Sequence, residues 1–205
     1  DYEERIVVSR EKFIPPPPDE DKLRIAAKYL AEARRPVILA GGGVLWSGAT
    51  PEVLEISKTL HAPIVSTLPG KAVVPHDYPL YMGPAGMHGR AEADAALANA
   101  DVILAVGTRF SDRTWGRFKE LQESVKSGGV KLIHIDIDKS EIGKNVKPTV
   151  GIVANAKEAL RKLIDLLEVA PTGNQKFISW LLQIRKKYEE TMSKIADATP
   201  GFHPW

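Results

Sequence analysis

Four short stretches carry residue types that could handle a phosphorylated ligand. Gly107-Thr108-Arg109-Phe110-Ser111-Asp112-Arg113 sets a glycine and two arginines, four apart, directly after the apolar run Asp101–Val106. A glycine lets a ligand approach the backbone and a guanidinium forks onto anionic oxygens, so the pattern suits a diphosphate. It equally suits a solvated loop in which Arg113 pairs with Asp112, with Arg117 and Lys119 adding charge nearby. Gly41, Gly42 and Gly43 follow the apolar run Val37–Ala40. They read either as a close-approach loop for a nucleotide or as a tight turn. Gly83-Pro84-Ala85-Gly86-Met87-His88-Gly89-Arg90 is a third glycine-rich loop. His88 is suited to donate to a phosphate or carbonyl, or to close the loop on itself, and Met87 to pad a flat ring or to fill core. Asp136 ends the run Val130–Ile135, where an acid grips ribose hydroxyls in nucleotide folds or caps the turn at Asp138–Glu141. Thr67 and Leu68 end a further run and are candidates for lining a pocket.

The elements that must hold these loops follow from periodicity. The run at Val37–Ala40 shows no alternation, as expected of a parallel strand covered on both faces, and Pro63–Thr67, Asp101–Val106, Val130–Ile135 and Val150–Val153 read as further strands. Leu80-Tyr81-Met82 is a further short strand. Asp19-Glu20-Asp21 opens a helix whose Leu23, Ala26, Ala27, Leu30 and Ala31 share one face, and Arg34-Arg35-Pro36 ends it. Thr50 is expected to cap a helix with Pro51 in its first turn and Val53, Leu54, Ser57 and Leu60 inward. An alanine-rich helix is expected at about Glu92–Asn99. Ser127-Gly128-Gly129 is a turn, and Asn155 is expected to cap a helix carrying Ala156, Ala159, Leu160, Leu163, Ile164 and Leu167. Strands alternating with helices define an α/β class with a doubly wound parallel sheet, Rossmann-like. Trp46 stands where the dinucleotide fingerprint has its third glycine, so the loop is not a standard G-x-G-x-x-G.

Three regions are distinguishable. Residues 1–18 read as an arm in which Ile6-Val7-Val8 could join a sheet edge and Pro15 to Pro18 form a stiff spacer. Residues 19–170 form the nucleotide-binding domain. Residues 171–205 begin with the break Pro171-Thr172-Gly173. They continue as an amphipathic helix, with Phe177, Leu181, Ile184, Tyr188, Met192 and Ile195 recurring every three or four residues. That helix is expected to bind a neighbouring domain or subunit. Asp1 in place of Met, and the tail Gly201-Phe202-His203-Pro204-Trp205, point to a piece of a longer polypeptide.

Composition narrows the classes. The chain has 205 residues, 43% hydrophobic and 26% charged, with a net charge of +2. Acids and bases interleave, so nothing asks for nucleic acid or a membrane. The absence of cysteine excludes disulfides, thiol catalysis and zinc ribbons, and suits a cytoplasmic setting.

In order along the chain, Pro36–Gly43, Ser66–Gly70, Gly86-Met87-His88-Gly89, Gly107–Arg113, His134-Ile135-Asp136-Ile137-Asp138 and Glu141–Val146 resemble the central domain of the acetolactate synthase large subunit. This is a thiamine-diphosphate enzyme, and the resemblance covers about residues 15–170. It implies a six-stranded parallel sheet that binds FAD, held mainly for structure. Contacts would fall on Gly41, Gly42, Gly43, Thr67, Leu68, Met87, His88, Gly107, Thr108, Arg109, Arg113, Asp136, Ile137 and Asn155. Two motifs depart from the family pattern: Ala154-Asn155-Ala156 replaces Gly-Asp-Ala, and Ser111 replaces an acid. The resemblance also implies a parent transferase that decarboxylates pyruvate and joins the two-carbon unit to a second 2-oxo acid, in branched-chain amino-acid synthesis. Its thiamine diphosphate and magnesium would bind in N- and C-terminal domains, so this domain would hold no catalytic residue and no metal. The parent would be a homo-oligomer, with room for a regulatory subunit. Other thiamine enzymes with this middle fold remain open, including glyoxylate carboligase, sulfoacetaldehyde acetyltransferase and decarboxylases whose pocket holds ADP or nothing. A sirtuin-type NAD-dependent deacylase shares the fold class, but its four-cysteine zinc module is missing.

Overall fold

The computed structural model describes residues 14–167 and 174–198. The arm strand at Ile6-Val7-Val8, the break at Pro171–Gly173 and the aromatic tail lie outside the described residues. The elements run α1 (Glu20–Glu32), β1 (Pro36–Ala40), α2 (Gly42–Ser47), α3 (Thr50–Leu60), β2 (Ile64–Ser66), a 3-10 turn (Leu68–Gly70), β3 (Tyr81–Pro84), α4 (Ala91–Ala98) and β4 (Val102–Val106). They continue with α5 (Asp112–Trp115), α6 (Lys119–Ser127), β5 (Lys131–Asp136), β6 (Val150–Val153), α7 (Ala156–Leu166) and α8 (Gln175–Ala198). All strand pairings are parallel, in the order β3-β2-β1-β4-β5-β6. This is the expected doubly wound six-stranded sheet.

The strands lack alternation because both faces are covered. Ile38, Ala40, Leu104 and Val106 point into a core shared with Leu23, Leu30, Val53, Ile56, Leu160 and Leu163, from α1, α3 and α7. Their neighbours Val37, Leu39, Ile103 and Ala105 point the other way, against Leu97, Leu121 and Leu181 from α4, α6 and α8. With period two and helices on each side, both faces of the central strands β1 and β4 must be apolar.

The caps are local and legible. The Asp19 carboxylate accepts from the Lys22 amide at 3.1 Å, and the Asn155 carbonyl oxygen accepts from Lys157 and Glu158 at the start of α7. Asp101 joins two connections by accepting from the Arg34 and Arg35 amides, each at 2.9 Å.

Several details differ from expectation. The three glycines open a helix of their own ahead of the one expected at Thr50: Gly41 caps α2, and Gly42 and Gly43 are its first residues. Thr50 is not the cap of α3; Ala49 is, and the Thr50 hydroxyl instead donates to the Val73 carbonyl at 2.8 Å. Helices α5 and α6 were not foreseen. Only Leu121 and Val125 of α6 are buried, and two apolar residues make too short a stripe to register as periodicity. The short strand near residue 81 begins at Tyr81 and runs to Pro84, with a register shift opposite Ile64 and Val65.

Helix α8 returns to its own domain. Phe177, Ile178 and Leu181 are buried. Arg185 donates to the Tyr81 carbonyl on the edge strand β3 and lies 3.6 Å from the fully buried Glu92 of α4. Glu92 also accepts from Arg90 Nε at 2.6 Å, and Arg90 reaches Glu189 of α8 at 3.3 Å. A buried carboxylate thus holds two guanidiniums between helix and sheet edge, and the edge strand is covered rather than left open.

Candidate functional site

In this strand order the connections from β1 and β4 leave in opposite directions, so a crevice opens at their carboxyl ends. The two loops there meet glycine on glycine. The Gly41 amide donates to the Val106 carbonyl at 2.8 Å and the Gly43 amide to the Gly107 carbonyl at 3.0 Å. Gly107 takes φ +58°, and a Cβ on it would stand 2.5 Å from the Gly43 Cα. The close approach that these glycines permit is therefore first to each other's backbone.

Above this seam lies a cleft of about 390 Å³. Of the sequence candidates, Gly42, Gly43, Thr67, Gly107, Thr108, Arg109 and Asp136 line it. Gly41 lies beneath, against Gly107. Leu68, Met87, Arg113, Ile137 and Asn155 are not among its lining residues. Leu68, Met87 and Ile137 are exposed; the Arg113 carbonyl accepts from the Met87 amide at 2.7 Å. Asn155 uses its side chain as a cap. His88 faces a second cleft, of about 730 Å³, between β3 and α8.

The cleft also holds residues that the sequence did not single out as contacts. Trp46 of α2 lines it with 93% of its surface exposed. Pro69, Ser111, Thr114, Asp138 and Glu141 complete the wall. Trp46 had a visible signal, as a bulky aromatic at a fingerprint glycine position. Asp138 and Glu141 had theirs in the acidic cluster after β5, which reads equally well as turn chemistry.

Thr108 and Arg109 offer amides for which no acceptor occurs among the described residues. Asp136 is buried and accepts from the Asp138 amide at 3.0 Å through one oxygen. Burial pushes its carboxyl above the usual range, against the opposing pull of that amide. Ser140 donates to Asp138 through both its hydroxyl and its amide and holds that carboxyl below the usual range. Behind the wall, His134 Nε2 donates to the Thr108 carbonyl at 2.9 Å while Nδ1 is buried without a partner among the described residues. Burial lowers this imidazole to about 4, so it is neutral at physiological pH.

Charge is unevenly spread. Among the described residues Arg109 is the one cationic side chain in the wall, against Asp136, Asp138 and Glu141; Glu141 is partly offset by Lys144 at 2.9 Å. The β5 side thus suits hydroxyl donors. Anion binding falls to Arg109 and backbone amides on the β4 side.

A six-stranded, all-parallel, doubly wound sheet flanked by helices defines the class of Rossmann-like α/β domains. Residues 23–163 match the family model "Thiamine pyrophosphate enzyme, central domain", and the chain belongs to that family. It is 46% identical over 146 residues to a probable acetolactate synthase large subunit of Methanocaldococcus jannaschii, covering 71% of this chain and 24% of that protein. It is 37% identical over 186 residues to an acetolactate synthase of Mycobacterium leprae, covering 89% and 29%. A probable chloroplastic acetolactate synthase 2 of Oryza sativa subsp. japonica is 36% identical over 181 residues, covering 86% and 26%. The chain thus spans about a quarter of the length of these relatives. No helix among the described residues is long and apolar enough to cross a membrane.

Proposed function

We propose that this chain is the central domain of an acetolactate synthase large subunit and that its switch-point cleft binds FAD or another ADP-type nucleotide. The observation that carries this reading is the division of the cleft wall: amides and Arg109 at the end of β4, carboxylates at the end of β5. A diphosphate would sit against Gly42, Gly43, Gly107 and the Thr108 and Arg109 amides, with the Arg109 guanidinium as its charged partner. Ribose hydroxyls would donate to Asp136, a carboxylate in the cleft wall at the end of β5. The donor set fits a nucleotide better than a bare anion, because acids outnumber bases.

In this reading the domain is a scaffold without catalytic residues. The parent enzyme would be a cytoplasmic homo-oligomer that decarboxylates pyruvate and transfers the two-carbon unit to a second 2-oxo acid. Flanking domains would supply the thiamine diphosphate and magnesium sites, and the flavin, when bound, would supply structural support rather than net redox chemistry. Helix α8 would then lead toward one of those domains.

A second reading is favoured by one observation. Gly41, Gly43 and Gly107 are already filled by one another, as in a scaffold domain with an empty pocket. Titration of the chain with FAD, ADP and NAD, read by flavin fluorescence and melting temperature, separates the two. Binding of FAD or ADP is expected, with Arg109→Ala weakening it by about 1.5–3 kcal/mol through loss of a charge-assisted hydrogen bond. Absence of binding to all three favours the scaffold. Binding that is indifferent to Arg109→Ala places the phosphates elsewhere.

A further inference from the structure

We propose that Trp46 is the stacking platform of the switch-point cleft, so that the cleft selects ligands carrying a planar ring over bare diphosphates; this rests on the nucleotide reading above. An indole left 93% exposed on a short helix forgoes the burial that large aromatics usually find. Trp46 does so at the wall of a cleft whose other residues are polar or small. Its backbone is fixed. Helix α2 is tied to the β4 loop through the Gly43 amide, and the Ser47 hydroxyl donates back to the Gly43 carbonyl at 2.8 Å. Gly48 then ends the helix in a left-handed turn. The indole is therefore presented from a rigid base, with little backbone entropy left to lose when a ring stacks on it. Pro69, on the 3-10 turn that packs against α2, supplies an apolar neighbour in the same wall. In the nucleotide reading the Arg109 guanidinium and the carboxylates are committed to phosphate and hydroxyl groups, which leaves the indole to take the ring face. Among the described residues Trp46 is the one aromatic in the wall.

Calorimetric titration of the 205-residue chain and its Trp46→Leu and Trp46→Phe variants with ADP, FAD and inorganic pyrophosphate tests this. Trp46→Leu is expected to weaken ADP and FAD about tenfold, a loss within the range for ring stacking on an aromatic side chain. Trp46→Phe should restore most of that affinity, and pyrophosphate binding should not change. The indole is exposed, so melting temperatures of the free variants should match the wild type. Unchanged ADP and FAD affinity in Trp46→Leu overturns the platform while leaving the nucleotide site standing. An equal loss for pyrophosphate overturns it too, because the indole would then be acting on the loop and not on a ring. If the wild type binds none of the three, the nucleotide reading itself fails and the platform falls with it.

Discussion

His134 sits fully buried on β5 with Phe110 edge-on at 4.9 Å and the Thr108 carbonyl on Nε2. Its folded value, about 4 against an ordinary 6.5, means that the unfolded chain takes up a proton that the native site refuses. The stabilising effect is therefore complete above pH 6.5 and is lost as pH falls toward 4. The full difference amounts to about 3 kcal/mol. Asp136 acts with the opposite sign. Its raised value favours the folded state at low pH, and that contribution fades as pH climbs from the ordinary carboxylate range through the raised value. Urea unfolding at a series of pH values from 7.5 to 4.5 should show the wild type losing stability on acidification, and His134→Phe should flatten the slope between 6.5 and 4.5. An unchanged slope in that variant would assign the acid sensitivity to other groups.

At the scale of elements, the seam between α2 and the β4 loop is where packing and backbone conformation can be separated. Gly48 and Gly107 both take left-handed angles, φ +63° and +58°. A Cβ on Gly48 meets nothing within 4 Å, whereas one on Gly107 lands 2.5 Å from the Gly43 Cα. Gly48→Ala is expected to cost about 1–2 kcal/mol, the conformational penalty alone. Gly107→Ala should cost clearly more, because two backbones must separate, and should widen or close the cleft. Equal losses for the two variants in denaturant melts would mean that the seam yields freely and does not position α2. The same logic explains why α8 stays on the sheet edge. Arg185 reaches both the Tyr81 carbonyl and the buried Glu92, so displacing the helix would strip partners from an edge strand and a carboxylate together.

For the whole molecule, the two cores meet through a single sheet, and α8 contributes Phe177 and Leu181 to one of them. Unfolding should then be one cooperative transition. Tryptophan fluorescence of a Trp46→Phe, Trp205→Phe variant, which reports Trp115 in the core and Trp180 on α8, should coincide with far-ultraviolet circular dichroism. An early fluorescence transition would show that α8 leaves before the sheet melts. Trp180 and Leu182 remain partly exposed on the two flanks of the buried Leu181.

Much of this was legible in the chain itself. Unalternating apolar runs fix parallel strands covered on both faces, Asp19 and Asn155 announce helix starts, and glycines with Arg109 and Asp136 mark the strand ends that meet at the cleft. Local patterns record local chemistry and the period of burial, and both survive in one dimension. The tertiary structure decided what depends on approach across long sequence separation. It turned Gly41 and Gly43 toward Gly107 and placed Arg113 and Met87 outside the cleft wall. It joined Trp46 to a wall built from residues 67 to 141, and it laid α8 on the edge strand through a buried carboxylate. None of these follows from spacing, because strand order, and not strand sequence, determines which loops become neighbours.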